Sequence, residues 1–437
     1  MDRQTRQRNL GVAILASLAL FGCGGGGSSA PVAVTPTPAD PTPAPVVVTP
    51  APVVVTPVPV VVPPPVAPTQ SGVFTDDPVA GLSYTTSGAY SGTTDANGTF
   101  KFNTGETVTF KIGNLVIGTA KGGNTISPID LATSSDQAIN IYVLLQSLDN
   151  KSVANTITIP STLASANLSH IDLSQGPVVF ASAANATLVA AQTTAGITSG
   201  IVAPGAAIAH ASAQFQKQAV GVWQLYQGGT AQPVVFRFDA SGAYLMGEAD
   251  GPKPGIEAGT MTVDPLNAHF SGKVTLDTNG ESGFSNPSPS ELTETMKFDG
   301  PNLAVRDSSG VPLFQFQRVA NDNSSLVGAW ALTSAATLAT QHFVFFPDGK
   351  FMMIDPLGDT GTSHCGVAGI EYGTYTFAAT TGLTVSAISI DTNGCAGLND
   401  TTLVPGKLFQ GPNSIPATLS SDGNTLNLPG GLVMKRL

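Results

Sequence analysis

The sequence predicts a mainly β protein, with a small β-sandwich, a short helical connector and two tandem small antiparallel β-barrels. Three observations predict this fold class. The 48 glycines and 33 prolines among 437 residues imply many turns and few long helices. Apolar and polar residues alternate in short runs such as Thr99–Phe102, which is the period of half-buried strands. The sequence after residue 219 repeats itself, which indicates two copies of one domain.

The charge balance excludes one class of partner. The chain carries 18 basic and 29 acidic side chains, which gives a formal net charge of -11. Its basic residues form a cluster only at Arg3, Arg6 and Arg8, close to the N-terminus. An acidic chain without a basic patch is not suited to bind the phosphates of a nucleic acid. We therefore expect no nucleic-acid partner.

Residues 1–22 have the layout of a signal peptide. The arginines precede an apolar run, Leu10–Leu20, that is too short to span a bilayer as a helix. The segment Leu20-Phe21-Gly22-Cys23 resembles the lipobox of bacterial lipoproteins. The resemblance implies that Cys23 becomes the new N-terminus and carries acyl chains such as palmitate. An ordinary secreted protein with a spare cysteine is the alternative.

The resemblance also indicates a location. Gly24 follows the cysteine, where the inner-membrane retention signal of that family has aspartate. The resemblance therefore implies a lipid-anchored protein of the bacterial outer membrane or cell surface.

Residues 23–72 are expected to form the lipid anchor and a disordered Pro/Val-rich tether. A seven-residue unit occurs twice, as Val46–Pro52 and as Val53–Pro59. Because proline lacks an amide donor and blocks helix formation, this spacing predicts an extended spacer and not a coiled coil. A proline motif that binds a groove in another protein is the alternative.

Residues 73–132 are predicted to form the β-sandwich. Strand-like alternation occurs on both sides of Asn97-Gly98, which is a strong hairpin turn signal. The piece Gly92–Phe100 resembles the signature of carboxypeptidase-regulatory-like and collagen-adhesin B-type domains, which are prealbumin-like sandwiches. That resemblance implies a structural role as a stalk or spacer, without chemistry.

Residues 133–218 are predicted to form the helical connector. Ser134 or Ser135 can cap a helix whose apolar residues recur at helical spacing. Alanine-rich stretches at 182–194 and 206–218 are also expected to be helical. His210 has no partner at metal-ligand spacing, so a packed or capping role is favoured over a metal ligand.

The repeats are predicted to cover residues 219–320 and 326–437. Four motifs recur in the same order, namely Gly-x-Trp at Trp223 and Trp330, Gly-Ile-Glu-x-Gly-Thr at Glu257 and Glu371, Asp-Thr-Asn-Gly at Asp277 and Asp391, and a late arginine at Arg318 and Arg436. Short alternating strands between glycine and proline turns predict an antiparallel barrel for each copy.

The Gly-x-Trp opening and the late arginine resemble the lipocalin-like barrels. The resemblance implies that Trp223 packs with Arg318, and Trp330 with Arg436, to close each barrel. It also leaves two possibilities open, because a small barrel is either filled by its own side chains or hollow enough to hold a ligand.

Two further cysteines, Cys365 and Cys395, occur in the second repeat and are absent from the first. With Cys23 acylated and the chain exported to an oxidising compartment, we expect them to form a disulfide. Cys365 falls in an insertion between Gly349 and Gly369, so the bond would pin that loop. A zinc or catalytic-cysteine site is the alternative, but it lacks Cys-x-x-Cys spacing and a paired histidine motif.

The sequence contains few signs of catalysis. No nucleophile elbow, zinc-protease, phosphate-loop or dinucleotide-binding motif occurs, and we expect no cofactor and no metal. Asp277 and Asp391 fit a hairpin turn better than a calcium loop, because the other oxygen ligands are missing. Glu257 and Glu371 are the candidate ligand-binding residues, and their alternative role is to bind turn amides.

These observations favour a lipid-anchored surface protein that acts as a non-catalytic, adhesin-like binding or structural protein. A surface macromolecule is then the expected partner, besides the membrane. A carrier of a small apolar ligand is the main alternative. A carbohydrate-active enzyme that uses paired carboxylates is the third.

Overall fold

A computed structural model describes residues 67–280, 283–284, 287, 289, 291–332, 338–358, 367–393, 398 and 410–437. This part of the chain is mainly β, as predicted, and its strands form five sheets. The predicted signal peptide, most of the predicted tether and the three cysteines, Cys23, Cys365 and Cys395, lie outside the described residues.

The N-terminal strands form two sheets that share one core. One sheet has the order β5-β1-β8 and the other β4-β3-β6-β7. Phe110 contacts Phe74 and Phe100 of the other sheet, with ring centroids 4.8 and 5.2 Å apart. The strands are Gln70–Phe74 (β1), Val79–Ala80 (β2), Ser83–Thr86 (β3), Ser91–Thr93 (β4), Thr99–Phe102 (β5), Thr107–Ile112 (β6), Leu115–Lys121 (β7) and Thr125–Ile126 (β8). Since β1 begins at Gln70, the sheet includes the last residues of the segment predicted to be tether.

The turn at Asn97-Gly98 forms, but it does not make the predicted hairpin. Asp95 Oδ1 accepts the amides of Asn97 and Thr99 at 2.9 and 2.8 Å, and Gly98 has a φ of 71°. However, β4 before the turn pairs with β3, whereas β5 after it pairs with β1. The turn therefore joins two sheets, because the alternating Phe100 and Phe102 bury their rings under the other sheet.

Five helices follow, at Pro128–Leu131 (α1), Ser135–Ser147 (α2), Pro177–Ala183 (α3), Asn185–Ala195 (α4) and Pro204–Ala219 (α5), with a 3-10 turn at Ser161–Ser165 and a short strand at Ile157–Thr158 (β9) that pairs with β2. Ser134 caps α2 by accepting the Gln137 amide at 3.2 Å, as predicted. Helix α2 is buried on every side from Ala138 to Ser147.

The helices share a core with the two N-terminal sheets. One hydrophobic core runs from Phe74 in β1 to Ala211 in α5 and includes both sheets and helices α2 to α5. The boundary expected between residues 132 and 133 falls inside this core. The Tyr142 hydroxyl of α2 also donates to the Pro265 carbonyl at 3.0 Å, which joins this module to the first repeat.

The first repeat forms one curled antiparallel sheet with the order β14-β13-β12-β11-β10-β17-β16-β15. Its edge strands approach each other, because His269 pairs with Thr295 and the Met296 amide donates to Ala268 at 2.9 Å. The strands are Gly221–Gln227 (β10), Thr230–Phe238 (β11), Ala243–Glu248 (β12), Gly255–Val263 (β13), Phe270–Asp277 (β14), Thr295–Asp299 (β15), Asn302–Arg306 (β16) and Pro312–Arg318 (β17).

The second repeat forms a curled sheet of the same design, with the order β23-β22-β21-β20-β19-β18-β26-β25-β24. In both repeats the first strand pairs with the last, as β10 with β17 and β18 with β26. The strands are Gly328–Ala331 (β18), His342–Phe345 (β19), Lys350–Asp355 (β20), Gly369–Ala378 (β21), Gly382–Asp391 (β22), Gln410–Ile415 (β23), Thr418–Leu419 (β24), Thr425–Asn427 (β25) and Val433–Arg436 (β26).

The two sheets pack against each other through their outer faces. Strands β12 and β13 of the first repeat contact the equivalent strands β20 and β21 of the second. This is the arrangement of a two-fold symmetric dimer, built within one chain. We call this surface the inter-repeat interface; its apolar side chains include Val222, Val235, Leu245, Ile256, Ala329, Val344, Met352, Ile354 and Ile370.

The interface departs from symmetry at one position. Gly247 and Ile354 are equivalent residues, counted from the matched Gly242 and Gly349, and they contact each other. A Cβ on Gly247 would lie 2.7 Å from Cδ1 of Ile354 and 3.0 Å from Sδ of Met352. The space left by the absent side chain of Gly247 in the first repeat is therefore filled by the Ile354 side chain of the second.

We expect Gly247→Val to destabilise the protein by about 1–3 kcal/mol, because the new side chain overlaps Ile354. The double variant Gly247→Val/Ile354→Ala should lose less stability than the two single changes added together. Urea unfolding measures both. The control is Gly205→Ala, since a Cβ on this helical glycine meets no atom within 4 Å. Additive losses in the double variant would contradict the contact.

Candidate functional site

The first repeated feature is a tryptophan under an arginine. Trp223 is fully buried, and its Nε1 donates to the Ala219 carbonyl at 2.7 Å. The Arg318 guanidinium lies over the ring, with Cζ 4.2 Å from the centroid, and donates to the carbonyls of Val220, at 2.6 Å, and Gln218. The arginine thus joins the last strand to the start of the first, and its cation faces the ring.

The second repeat contains the same arrangement. Trp330 Nε1 donates to Leu326 at 2.9 Å, and Arg436 Cζ lies 4.0 Å from the ring centroid. Arg436 donates to the carbonyls of Val327 and Ser325 at 2.8 and 2.9 Å. Burial lowers the pKa of both arginines from the ordinary value. The structure therefore brings together both pairs that the sequence suggested.

The glycine of Gly-x-Trp has a steric reason in each repeat. Gly221 and Gly328 adopt φ of 134° and 137°, a region that other residues rarely occupy. A Cβ on Gly221 would lie 2.5 Å from Nη1 of Arg318, and one on Gly328 would meet Arg436. Glycine is required there so that the guanidinium can reach the backbone.

Glu257, on β13, lies in the interior of the first repeat and is fully buried. Its Oε1 accepts the Tyr244 hydroxyl at 2.5 Å and the Phe284 amide at 2.6 Å. Burial and the Glu257 hydrogen bond raise the pKa of Tyr244 above its ordinary value, so the phenol stays a donor. Phe284 in turn packs its ring on Tyr244 with centroids 4.9 Å apart. Glu257 thereby holds the loop after β14 against the sheet.

Glu371 occupies the equivalent position on β21 and holds the equivalent loop. Its Oε2 accepts the Leu398 amide at 2.8 Å, and only 1% of the residue is exposed. Burial, followed by the nearby Asp391, raises the pKa of Glu371 to about 8, although the Leu398 hydrogen bond opposes the shift. The phenol is missing, because Phe351 stands where the first repeat has Tyr244. Glu371 is therefore mostly protonated at neutral pH.

The aspartates of the repeated turns have local partners. Asp277 pairs across the strands with Glu257, and Asp391 with Glu371. Asp277 Oδ1 accepts the amides of Asn279 and Gly280 at 3.1 and 2.5 Å. This geometry is an Asx turn. Within the described residues, no group of three or more His, Cys, Asp or Glu side chains could hold a metal ion.

A half-buried arginine and a buried histidine meet at the inter-repeat interface, and no sequence pattern indicated this pair. Arg237 of β11 contacts the imidazole of His342 of β19, which is only 3% exposed. Burial and the charge of Arg237 lower the pKa of His342 to about 3, so the ring is neutral at physiological pH. This pair joins residues from the two repeats, so no motif within either repeat could reveal it.

A groove on the described part of the first repeat lies apart from the two candidate glutamates. The groove, of about 360 Å³, runs between α5 and strands β13 and β14, and Glu257 and Glu371 do not line it. Its lining includes Ser212, Thr262, Asp264, His269, Phe270 and Leu292. A second space, of about 10 Å³ at the inter-repeat interface, holds no more than one water molecule.

Comparison with known proteins finds no relative. The chain matches no protein-family model, and searches of curated proteins and of solved structures return no match. Among the described residues, no single helix is long and apolar enough to cross a membrane, although the bent pair α3 and α4 together has that length and composition.

We expect Glu371→Gln to change the pH dependence of stability. A carboxyl whose pKa is raised in the folded state favours folding less as pH rises from its unfolded value, near 4.5, to about 8. The amide of Glu371→Gln does not titrate, so the variant does not lose this stability as pH rises. Relative to wild type, the variant should gain about 2–4 kcal/mol between pH 5 and pH 9 in urea unfolding.

The matched control is Glu257→Gln. The amide oxygen can still accept from the Tyr244 hydroxyl and the Phe284 amide, but the new NH₂ group must also be satisfied, so we expect a loss of about 1 kcal/mol. A stability difference between Glu371→Gln and wild type that is the same at pH 5 and pH 9 would contradict the assignment of Glu371 as a buried, protonated group.

Proposed function

We propose that this chain is a non-catalytic binding or structural protein of the bacterial envelope, held to the membrane by acyl chains on Cys23. One observation carries the non-catalytic part. The polar residues repeated in both sheets bind other parts of the same fold. Glu257 and Glu371 accept hydrogen bonds from loop amides, and the guanidinium groups of Arg318 and Arg436 lie over tryptophan rings. Residues bound in this way maintain architecture and are not directed at a substrate.

The filling of the two curled sheets supports surface binding over ligand transport. Trp223, Phe236, Tyr244 and Phe316 belong to the core of the first repeat, and the second core is similarly rich in aromatic residues and methionine. A small lipocalin-like barrel filled by its own side chains has no room for a ligand. We propose that both repeats are of this filled type, and that the N-terminal module is a prealbumin-like stalk joined to a helical layer.

The anchor rests on the sequence. The Leu20-Phe21-Gly22-Cys23 segment after an apolar signal core is the pattern that bacterial acylation requires. The acidic net charge of -11 fits display outside the cell better than binding to a polyanion. We infer an outer-membrane or surface location, with an adhesin-like role toward a macromolecular partner.

Acylation is tested by growing a bacterium that expresses the full chain with labelled palmitate. We expect the wild type to be labelled and to sediment with membranes, and Cys23→Ser to be unlabelled and soluble. The matched control is Cys395→Ser, which should keep the label because it leaves the signal segment intact. An unlabelled wild type, or a labelled Cys23→Ser chain, would refute the anchor.

The carrier alternative is tested on the same Cys23→Ser chain, which removes lipid attached through the anchor. Organic extraction followed by mass spectrometry should find no lipid in a fixed ratio to protein. One lipid per repeat would instead show that each curled sheet encloses a ligand, and it would favour the carrier alternative.

A further inference from the structure

The outer surface of α3 and α4 carries no charge. Residues 173–216 contain no Asp, Glu, Lys or Arg, although charged residues make up 11% of the chain. Val178, Val179 and Val189 on these helices are 83%, 58% and 46% exposed. The remaining exposed residues of α3 and α4 are Ser182, Ala183, Asn185, Ala186, Ala190, Thr193 and Thr194. We call this surface the uncharged face.

The opposite sides of the two helices are already occupied. Phe180 of α3 and Leu188 of α4 are buried, and both belong to the N-terminal core. The Gln192 amide group also donates to the Ser147 and Gly200 carbonyls, at 2.8 Å each. The pair has the length and composition of a membrane-spanning segment, but it is bent by 56° and fixed to the core on one side. Only its outer side is available for contact.

We propose that the uncharged face rests on the surface of a lipid bilayer. Protein interfaces owe most of their binding energy to aromatic residues, methionine and arginine, and the exposed residues of α3 and α4 include none of these. Valine and alanine give shallow, weak burial in the region where headgroups meet acyl chains. Weak contact is sufficient for a surface that an anchor already holds near the membrane.

Charge and chain length support this partner. An acidic chain is repelled by anionic headgroups, and the uncharged face adds no negative charge to that repulsion. The described chain begins at Ala67, and the backbone from Cys23 to Ala67 can span at most about 150 Å. The inference rests on the proposed anchor, which would keep the uncharged face at a high local concentration near the membrane. The test therefore separates the anchor from the face.

The test places a tryptophan on the uncharged face. The variant Val178→Trp is compared with Val311→Trp, because Val311 is 52% exposed on the first repeat and lies outside the face. The native Trp223 and Trp330 are fully buried and give a constant background. Chain 24–437, with an N-terminal hexahistidine in place of Cys23, is bound to phosphatidylethanolamine–phosphatidylglycerol vesicles that contain a nickel-chelating lipid and acyl-brominated lipid.

We expect brominated lipid to reduce the added emission of Val178→Trp about twofold and to leave that of Val311→Trp unchanged, because bromine quenches an indole that enters the acyl boundary. A second variant, Val178→Trp/Val189→Glu, should lose this quenching. Equal quenching of the two single variants, or none, would overturn the proposal. A dimer in sedimentation velocity that Val178→Glu abolishes would assign the face to a second copy and would also overturn it.

The nickel tether makes the result independent of acylation. Quenching of Val178→Trp in a chain whose native form proves unacylated would refute the proposed anchor and support the face. Acylation without quenching would support the anchor and refute the face.

Discussion

The apolar contact between the outer faces of the two repeats constrains most of the structure around it. A strand in a curled sheet normally buries one face and exposes the other. Strand β12 departs from this rule, because Tyr244 and Met246 point into the first repeat while Leu245 packs at the inter-repeat interface. Apart from Ala243, every residue of the strand is buried. Burial in the same interface, together with the charge of Arg237, lowers the pKa of His342 to about 3 and keeps its ring neutral.

The two repeats have kept one architecture while changing single partners. In the first repeat a phenol and an amide both donate to Glu257, whereas in the second Phe351 leaves Glu371 without the phenol. Burial and the nearby Asp391 move the Glu371 carboxyl toward its protonated form. The Gly247 and Ile354 contact is a second divergence, and it makes each repeat complementary to the other and not to itself.

Local patterns in the sequence were sufficient for much of the fold. The strands β5 and β6, the cap at Ser134 and the repeated strand order follow from alternation, capping chemistry and internal similarity. The pairing after Asn97-Gly98 was wrong, because turn chemistry fixes a reversal of direction but not which sheet receives the next strand. The core that the helices share with the N-terminal sheets was not predicted, for a related reason. Apolar residues at helical spacing predict that one face of a helix is buried. They do not distinguish such a helix from α2, which is buried on all sides.

The candidate site was partly predictable. The repeated Trp and Arg residues could be paired by a family resemblance, and the glutamates could be chosen because they recur. Their actual partners, Tyr244 and the amides of Phe284 and Leu398, depend on how a loop folds back over its sheet. A weak signal did exist, since Phe284 and Leu398 each follow the second glycine of the shared Asp-Thr-Asn-Gly-x-x-Gly pattern.

The pairing of first with last strand also determines how each repeat is made. Arg318 reaches a carbonyl 98 residues earlier in the chain, and Arg436 one 109 residues earlier. Such distant contacts form slowly, because a long loop must close before the contacts between the first and last strands can stabilise it. Until then β10 and β18 are open edges that share the Gly-x-Trp pattern, and we expect the two late strands, β17 and β26, to compete for them. We therefore expect correct folding to be favoured when β17 reaches β10 before the second repeat has formed.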